Sequence, residues 1–204
     1  MTQTDWVIGI DEAGRGPLAG PVAVGVVMVP VEFDIRTTFC GVADSKQLSE
    51  KKREEIFTLL QQQAGIGGVS YVVEYASAAM IDEIGISRAI KHALARGLRS
   101  LADGLEVDTL HVLLDGSLKA PVEYRQQTII RGDASEPIIS LASIAAKVSR
   151  DRLMQQLAKK YPEYGFEIHK GYGTLAHYAA IKKHGTSPIH RRSFNLVDKQ
   201  KKRP

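Results

Sequence analysis

The segment Gly9–Val22, GIDEAGRGPLAGPV, decides how this chain is read. An apolar run, Trp6–Ile10 (WVIGI), enters it as a strand and ends on two adjacent acids, Asp11 and Glu12. Gly14 and Gly16 follow, flanking Arg15. Two acids at the mouth of a glycine-rich bend repel one another unless positive charge sits with them. A metal ion, a basic partner and an ordinary turn are all open readings of this stretch by itself.

The pattern around this segment sets the fold class. Val22–Val29 (VAVGVVMV) is a second, β-branched strand, and Gly68–Ala76 (GVSYVVEYA) is a third. Ser49 caps an expected helix from Glu50 to about Gln63, with Ile56, Leu59 and Leu60 on one face. Helical sequence opens at Ser77 and runs to Leu101 with a break near Gly85. Thr109–Gly116 (TLHVLLDG) reads as a strand ending in Asp-Gly, and Thr128–Asp133 (TIIRGD) as a short strand ending in a further acid. Pro137 starts a long helical stretch to Lys160, at a position where its missing N–H costs nothing, and Leu175–His184 reads as another helix. Strands come first and then alternate with helices, which predicts an α/β fold with one sheet flanked by helices. Gly185, Pro188 and a basic tail predict an irregular end to a helical C-terminal extension.

Composition narrows the class. The 204 residues favour one domain with a sizeable core. No apolar run is long enough to span a membrane, no secretory leader is recognisable, and Cys40 is the sole cysteine. Disulfide scaffolds and cysteine zinc sites are excluded, and a reducing cytoplasm is the expected location. The net charge of +4 is unevenly spread: residues 147–204 hold 14 Lys/Arg against 4 Asp/Glu, and residues 1–146 hold 13 against 19. A basic C-terminal quarter suits a polyanionic partner, although a solvated basic tail gives the same count. Acids on a nucleic-acid binder make sense if they hold cations.

Asp11, Glu12, Asp115 and Asp133 share one trait: each follows a strand. Neighbouring strands can bring such ends together, and oxygen-only ligands select a hard cation, Mg²⁺ or Mn²⁺. Two such ions would activate water and stabilise the leaving oxygen in phosphodiester hydrolysis. Each acid also has a plainer explanation, since Asp115-Gly116 is a common turn dipeptide and Asp133 stands where a turn or cap is usual. Composition and spacing leave the metal site and the turn roles evenly balanced. Other motifs fall away: GRGPLAG has the wrong spacing for a dinucleotide fingerprint, and no phosphate-binding GxxxxGK[ST] loop exists. His169, His177, His184 and His190 lack the tight pairing of usual zinc ligands.

GIDEAGRGPLAGPV closely resembles the signature of the bacterial ribonuclease HII (type 2 ribonuclease H) family. DSKQLS (Asp44–Ser49), HVLLDG (His111–Gly116), RGDA, ASIAAKVSRD (Ala142–Asp151), YPEYGFEIHKGYGT (Tyr161–Thr174) and HRRSF (His190–Phe194) resemble that family's other blocks, in its order, across about residues 6–195. Type 3 enzymes are less similar, with Ser-Gly-Lys-Gly where this chain reads Ala-Gly-Arg-Gly.

The resemblance implies a ribonuclease H-like fold: a mixed five-stranded sheet flanked by helices, residues 1–160 forming the catalytic part and residues 161–204 a helical and basic extension packed on it as one unit. It implies endonucleolytic cleavage of the RNA strand of RNA–DNA hybrids, and nicking 5′ of single ribonucleotides in duplex DNA, leaving 3′-hydroxyl and 5′-phosphate ends. Asp11, Glu12, Asp115 and Asp133 fall on the catalytic carboxylates, the first three as ligands of Mg²⁺ or Mn²⁺. Gly14, Arg15 and Gly16 match the loop that reads the 2′-hydroxyl, and Tyr172 matches the ring that packs on the following deoxyribose. Lys46 and Lys147 resemble phosphate-contacting positions; Arg191 and Arg192 would contact phosphate or brace the tail. The end of the chain, NLVDKQKKRP, carries no clear sliding-clamp peptide, and a monomer is expected. Two other readings stay open: a DNA nuclease or recombinase on the same fold, and a non-catalytic nucleic-acid-binding module.

Overall fold

A computed structural model of the chain describes residues 5–42 and 48–197. Trp6–Ala13 (β1) and Val22–Pro30 (β2) pair antiparallel, and Ser70–Ala76 (β3) continues antiparallel on β2. Leu110–Asp115 (β4) lies parallel to β1, and Arg125–Ile129 (β5) parallel to β4. The result is a mixed five-stranded sheet of order β3-β2-β1-β4-β5. The helices in chain order are Ile35–Thr38 (α1), Glu50–Gly65 (α2), Ala78–Ile84 (α3), Ile86–Ala102 (α4), Gly132–Ser135 (α5), Pro137–Lys160 (α6), Phe166–His169 (α7) and Leu175–His184 (α8).

Period-two alternation divides the sheet between two cores. Ile8, Ile10, Val24, Val26, Val112 and Leu114 face one side, where α4 covers them with Ile90, Ala93, Leu94 and Leu98. Val7, Val27, Val29 and Leu113 face the other, beneath α6 and α2. Each buried Leu, Ile or Val contributes roughly 1.5–3 kcal/mol by leaving water. A third cluster joins Ala19 and Met154 to Tyr164 and Phe166, with Ile181 and Ile189 packed on it, so the extension seats on the second half of α6.

The α6 axis runs unusually close to the sheet. A Cβ on Gly9 would lie 2.4 Å from the Ile138 carbonyl oxygen, and one on Gly25 would lie 2.1 Å from that of Ala142. Both distances are far inside contact, so helix and strands touch backbone to backbone at these two residues.

Most expected elements are present. Ser49 Oγ accepts from the Lys52 N–H at 3.2 Å and caps α2; Ser77 Oγ accepts from Met80 N at 3.1 Å and caps α3; Gly85 separates α3 from α4. The expectation for Thr128–Asp133 was wrong. The fifth strand is Arg125–Ile129, and Asp133 belongs to the helical turn α5. Its register is set by pairing with β4, from His111 opposite Arg125 to Asp115 opposite Ile129. Arg131 then takes left-handed backbone, φ 56°, which ends the extended run and starts the turn. The polar RQQTI sequence hides the strand because it is an edge, stabilised partly by the Gln126 amide bonding to the Ala120 N–H and carbonyl. Short α1 and α7 had no counterpart in the sequence reading.

Gly25→Ala is expected to cost about 2–3 kcal/mol through forced separation of α6 from β2. Gly65→Ala, where nothing lies within 4 Å of the new Cβ, is expected to stay within about 0.5 kcal/mol of the parent or gain slightly. Urea denaturation curves for the two variants compare them directly, and matching midpoints would contradict the close approach.

Candidate active site

The register of two parallel strands creates the site. Ile10 stands opposite Leu114 as the last pair of the β1–β4 ladder, so the next residues, Asp11 and Asp115, lie side by side just past it, on the same face as Gly9 and Leu113. Neighbouring strands are about 4.8 Å apart, so the two carboxylates belong to one small region. Glu12 follows Asp11, and the three line a cleft of about 400 Å³ with Gly14, Arg15, Gly16, Arg53, Ser143, Lys147 and Tyr172. Asp133 is not in the cleft wall. It is buried beside Asp115, and its backbone N–H donates to Asp115 Oδ1 at 3.3 Å. The structure therefore brings three of the four expected carboxylates to one surface and sets the fourth against the third.

This clustering is electrostatically costly. Asp11 is only 5% exposed. Burial pushes its carboxyl up to about 8, and the charges of Glu12 and Asp115 add to the effect, against hydrogen bonds from Ser143 and the Glu12 N–H. Burial also raises Glu12, opposed chiefly by Arg15, whose Nη1 lies 2.8 Å from Glu12 Oε1. The oxygen-only donor set and the elevated Asp11 suit a hard divalent cation, which would hold all the carboxylates ionised. Among the described residues no three His, Cys, Asp or Glu side chains form a ready-made cation cage. Like charges stand apart, and Glu12 leans to Arg15.

The loop after β1 is held from behind by two buried arginines. Arg191, fully buried, donates to the carbonyls of Gly20 (2.9 Å), Arg15 (3.0 Å) and Gly14 (2.7 Å). Arg150 donates to those of Pro21 (2.9 Å), Ala19 (3.2 Å) and Lys170 (3.1 Å). Burial and the adjacent Arg150 pull Arg191 down to about 9, so it keeps its charge at neutral pH. Gly14 has φ 93°, and a Cβ there would lie 2.0 Å from Arg150 Nε. Its bare backbone thus makes room for Arg150, whereas Gly16 opens towards the Tyr172 ring, 3.8 Å from a built Cβ. The bracing role considered for the paired arginines belongs to Arg191; Arg192 is tied through its backbone N–H to Asp82 at 2.9 Å.

Tyr172 projects its ring into the cleft at 45% exposure. Lys147, one turn beyond Ser143 on α6, lines it too and pairs with Asp151 at 2.8 Å. Lys46 lies outside the described residues. Sequence reasoning missed Arg53 and Ser143. Arg53 sits in an ordinary charged helix sequence, EKKREE, and only the packing of α2 beside α6 turns it towards the cleft.

A ribonuclease HII family profile matches residues 8–197. The chain belongs to the ribonuclease HII family. A ribonuclease HII of Endomicrobium trichonymphae is 47% identical over 193 residues, covering 94% of this chain and 86% of that protein. Among solved structures, the ribonuclease H2 of Pyrococcus horikoshii OT3 is similar at TM-score 0.71 and 28% identity, covering 94% of this chain and 95% of that one. The ribonuclease HII in a PCNA complex from Archaeoglobus fulgidus gives TM-score 0.74 at 25% identity, covering 95% and 96%. As a ribonuclease HII family member, the chain is a type 2 ribonuclease H, a phosphodiester hydrolase. Among the described residues no helix is long and apolar enough to cross a membrane.

Asp11 links pH to stability with a definite sign. Above pH 3.8 the unfolded chain releases this proton, while the folded protein retains it up to about pH 8. The folded state binds more protons in that window, so stability falls as pH rises through it. Asp11→Asn is neutral throughout, and in EDTA at pH 8 it is expected to melt roughly 3–6 °C above the parent, with the difference gone near pH 4. An unchanged or lower melting temperature at pH 8 would contradict the strain assigned to Asp11.

Proposed function

We propose that the chain cleaves the RNA strand of RNA–DNA hybrids and nicks 5′ of single ribonucleotides in duplex DNA, leaving 3′-hydroxyl and 5′-phosphate ends. The observation that carries this reading is the register that sets Asp11 beside Asp115 just past the last pair of the parallel β1–β4 ladder, in a cleft shared with Glu12. Asp11, Glu12 and Asp115 would hold Mg²⁺ or Mn²⁺, for which their oxygen donors are suited. The bound ions would supply an activated water and charge neutralisation at the scissile phosphate. Asp133 would complete the site by fixing Asp115 through its backbone N–H.

The remaining residues would bind and select. Arg15, Arg53 and Lys147 surround the acidic floor with positive charge and would receive phosphate oxygens. Gly16 and Tyr172 face each other in the cleft. The Gly14–Gly16 backbone would meet the 2′-hydroxyl, and the Tyr172 ring the next, 2′-deoxy sugar, which has no hydroxyl to clash with it. Lys46 would add a phosphate contact. Residues 1–160 would act as the catalytic part and residues 161–204 as the extension that supplies Tyr172 and the Arg191 brace. The Archaeoglobus relative is seen in a complex with PCNA. The enzyme would act as a monomer in the cytoplasm.

A labelled DNA duplex holding one ribonucleotide tests the reading. With Mg²⁺ or Mn²⁺ the expected product is a single nick on the ribonucleotide's 5′ side, and an all-DNA duplex stays whole. Asp11→Asn and Asp115→Asn are each expected to slow cutting about a thousandfold or more, near 4 kcal/mol of barrier, while duplex binding changes little. Full activity in either variant would reject the site, and cutting of the all-DNA duplex would favour a DNA nuclease.

A further inference from the structure

Behind Tyr172 lies a cluster of histidines with no place in the chemistry above. His177 and His190 are buried, and their Nε2 atoms are 3.0 Å apart. The Ser187 N–H points at His190 Nδ1 at 2.9 Å, and the Ser187 hydroxyl is 2.8 Å from the same nitrogen. At the other end, His177 Nδ1 lies 2.9 Å from the Tyr172 carbonyl oxygen. Alongside, His169 stacks on His177 with ring centroids 4.5 Å apart. Its Nδ1 accepts from Gly171 N–H at 3.2 Å, and its Nε2 meets the Tyr164 carbonyl at 2.8 Å.

The partners fix where every proton sits. A backbone N–H can only donate, so His190 Nδ1 is an acceptor and its proton is on Nε2. That proton goes to His177 Nε2, which leaves the His177 proton on Nδ1, where the Tyr172 carbonyl accepts it. The same argument puts the His169 proton on Nε2, facing Tyr164. All three rings are neutral and the hydrogen bonds run one way. No lone pair is left for a metal ion, which disposes of the four-histidine metal cluster for these three rings.

We propose that His177 and His190 are positioning residues, a directed chain of neutral imidazoles from Ser187 to the Tyr172 carbonyl that sets the orientation of the Tyr172 ring in the cleft. The inference rests on reading Tyr172 as the sugar-facing residue. The Tyr172 carbonyl also accepts from the Thr174 N–H at 2.9 Å, a bond within its own turn, whereas His177 ties it to the buried histidine pair. Tyr172 N–H bonds to the His169 carbonyl at 2.8 Å, and Gly171 is tied to His169 and, through its carbonyl, to Leu18 N at 2.8 Å. His169 through its backbone carbonyl and His177 through its ring thus each hold one of the two peptide groups that carry the tyrosine.

The chain has no room for a further proton. Protonating His177 on Nε2 would set N–H against N–H across 3.0 Å, and protonating His190 on Nδ1 would set it against the Ser187 N–H across 2.9 Å. The titratable and charged groups around the pair are His169, stacked on His177; Tyr164, its ring 4.8 Å from His190; His184, against the far side of Tyr164; Tyr172 itself; and Arg150, bonded to the Lys170 carbonyl. Burial, with the neighbouring histidines, keeps His177 down to about 4 and lowers His190 as well.

The test compares nicking at a single ribonucleotide in duplex DNA with cutting of a continuous RNA–DNA hybrid. The full chain is used as wild type, Tyr172→Ala, His177→Leu and the double variant. Tyr172→Ala is expected to lower the junction-to-hybrid rate ratio about tenfold or more, and His177→Leu to lower it comparably although it never meets substrate. The double variant should be no worse than Tyr172→Ala, because both losses act through one ring. A folded His177→Leu with an unchanged ratio, or additive losses, overturns the positioning role. An unchanged ratio in Tyr172→Ala overturns the reading of Tyr172 instead. Should His177→Leu fail to fold, ring-nitrogen NMR of the wild type decides: the Nδ1–H tautomer is expected for His177 and Nε2–H for His190, with Tyr172 resonances shifting as His177 protonates. The opposite tautomers, or Tyr172 signals indifferent to that titration, overturn it.

Discussion

The contact of α6 with the sheet at Gly9 and Gly25 is the constraint on which the rest depends. Two side chains are missing where a helix backbone needs the space, so the helix lies against β1 and β2 without an intervening layer. That approach carries Ser143 and Lys147 to the cleft that holds Asp11, and sends Arg150 beneath the loop that follows β1. A helix held farther off by ordinary side chains would leave the same acids in the sheet but with no wall facing them.

The acids themselves work against folding. Asp11 is buried beside Glu12 and close to Asp115, and the burial and like charge that raise its carboxyl store free energy in the site. Stability gathered by the cores on both faces of the sheet is partly spent on holding these charges together. Such a site favours a divalent cation over water, because the cation relieves repulsion that the fold has already imposed. Arg15, which pairs with Glu12 and also faces the cleft, offers a weaker form of the same relief.

The loop after β1 and Tyr172 come from opposite ends of the chain, and buried polar groups join them. Arg191 grips the carbonyls of Gly14, Arg15 and Gly20, while Arg150 links that loop to Lys170. Neither arginine relies on a carboxylate partner for these bonds; each satisfies its guanidinium with carbonyls, whose fixed directions suit a planar donor set. The C-terminal extension is consequently part of the cleft's architecture. Its histidines continue the arrangement, tying the tyrosine's own peptide groups to a directed set of hydrogen bonds.

Much of this was legible in the chain. Continuous apolar, β-branched runs at Trp6–Ile10 and Val22–Val29, and the Pro137 start of the long helix, determined the α/β class, because side-chain type and backbone chemistry are local properties. GIDEAGRGPLAGPV and its companion blocks marked the family and the candidate acids. Tertiary structure alone decided that Asp11 and Asp115 stand side by side, since register between strands a hundred residues apart is a cooperative outcome of packing. It also placed Asp133 behind Asp115 on a turn, brought Arg53 to the cleft and assigned Gly14 to Arg150. Those roles depend on which atoms approach through space, and a linear sequence carries no record of that distance.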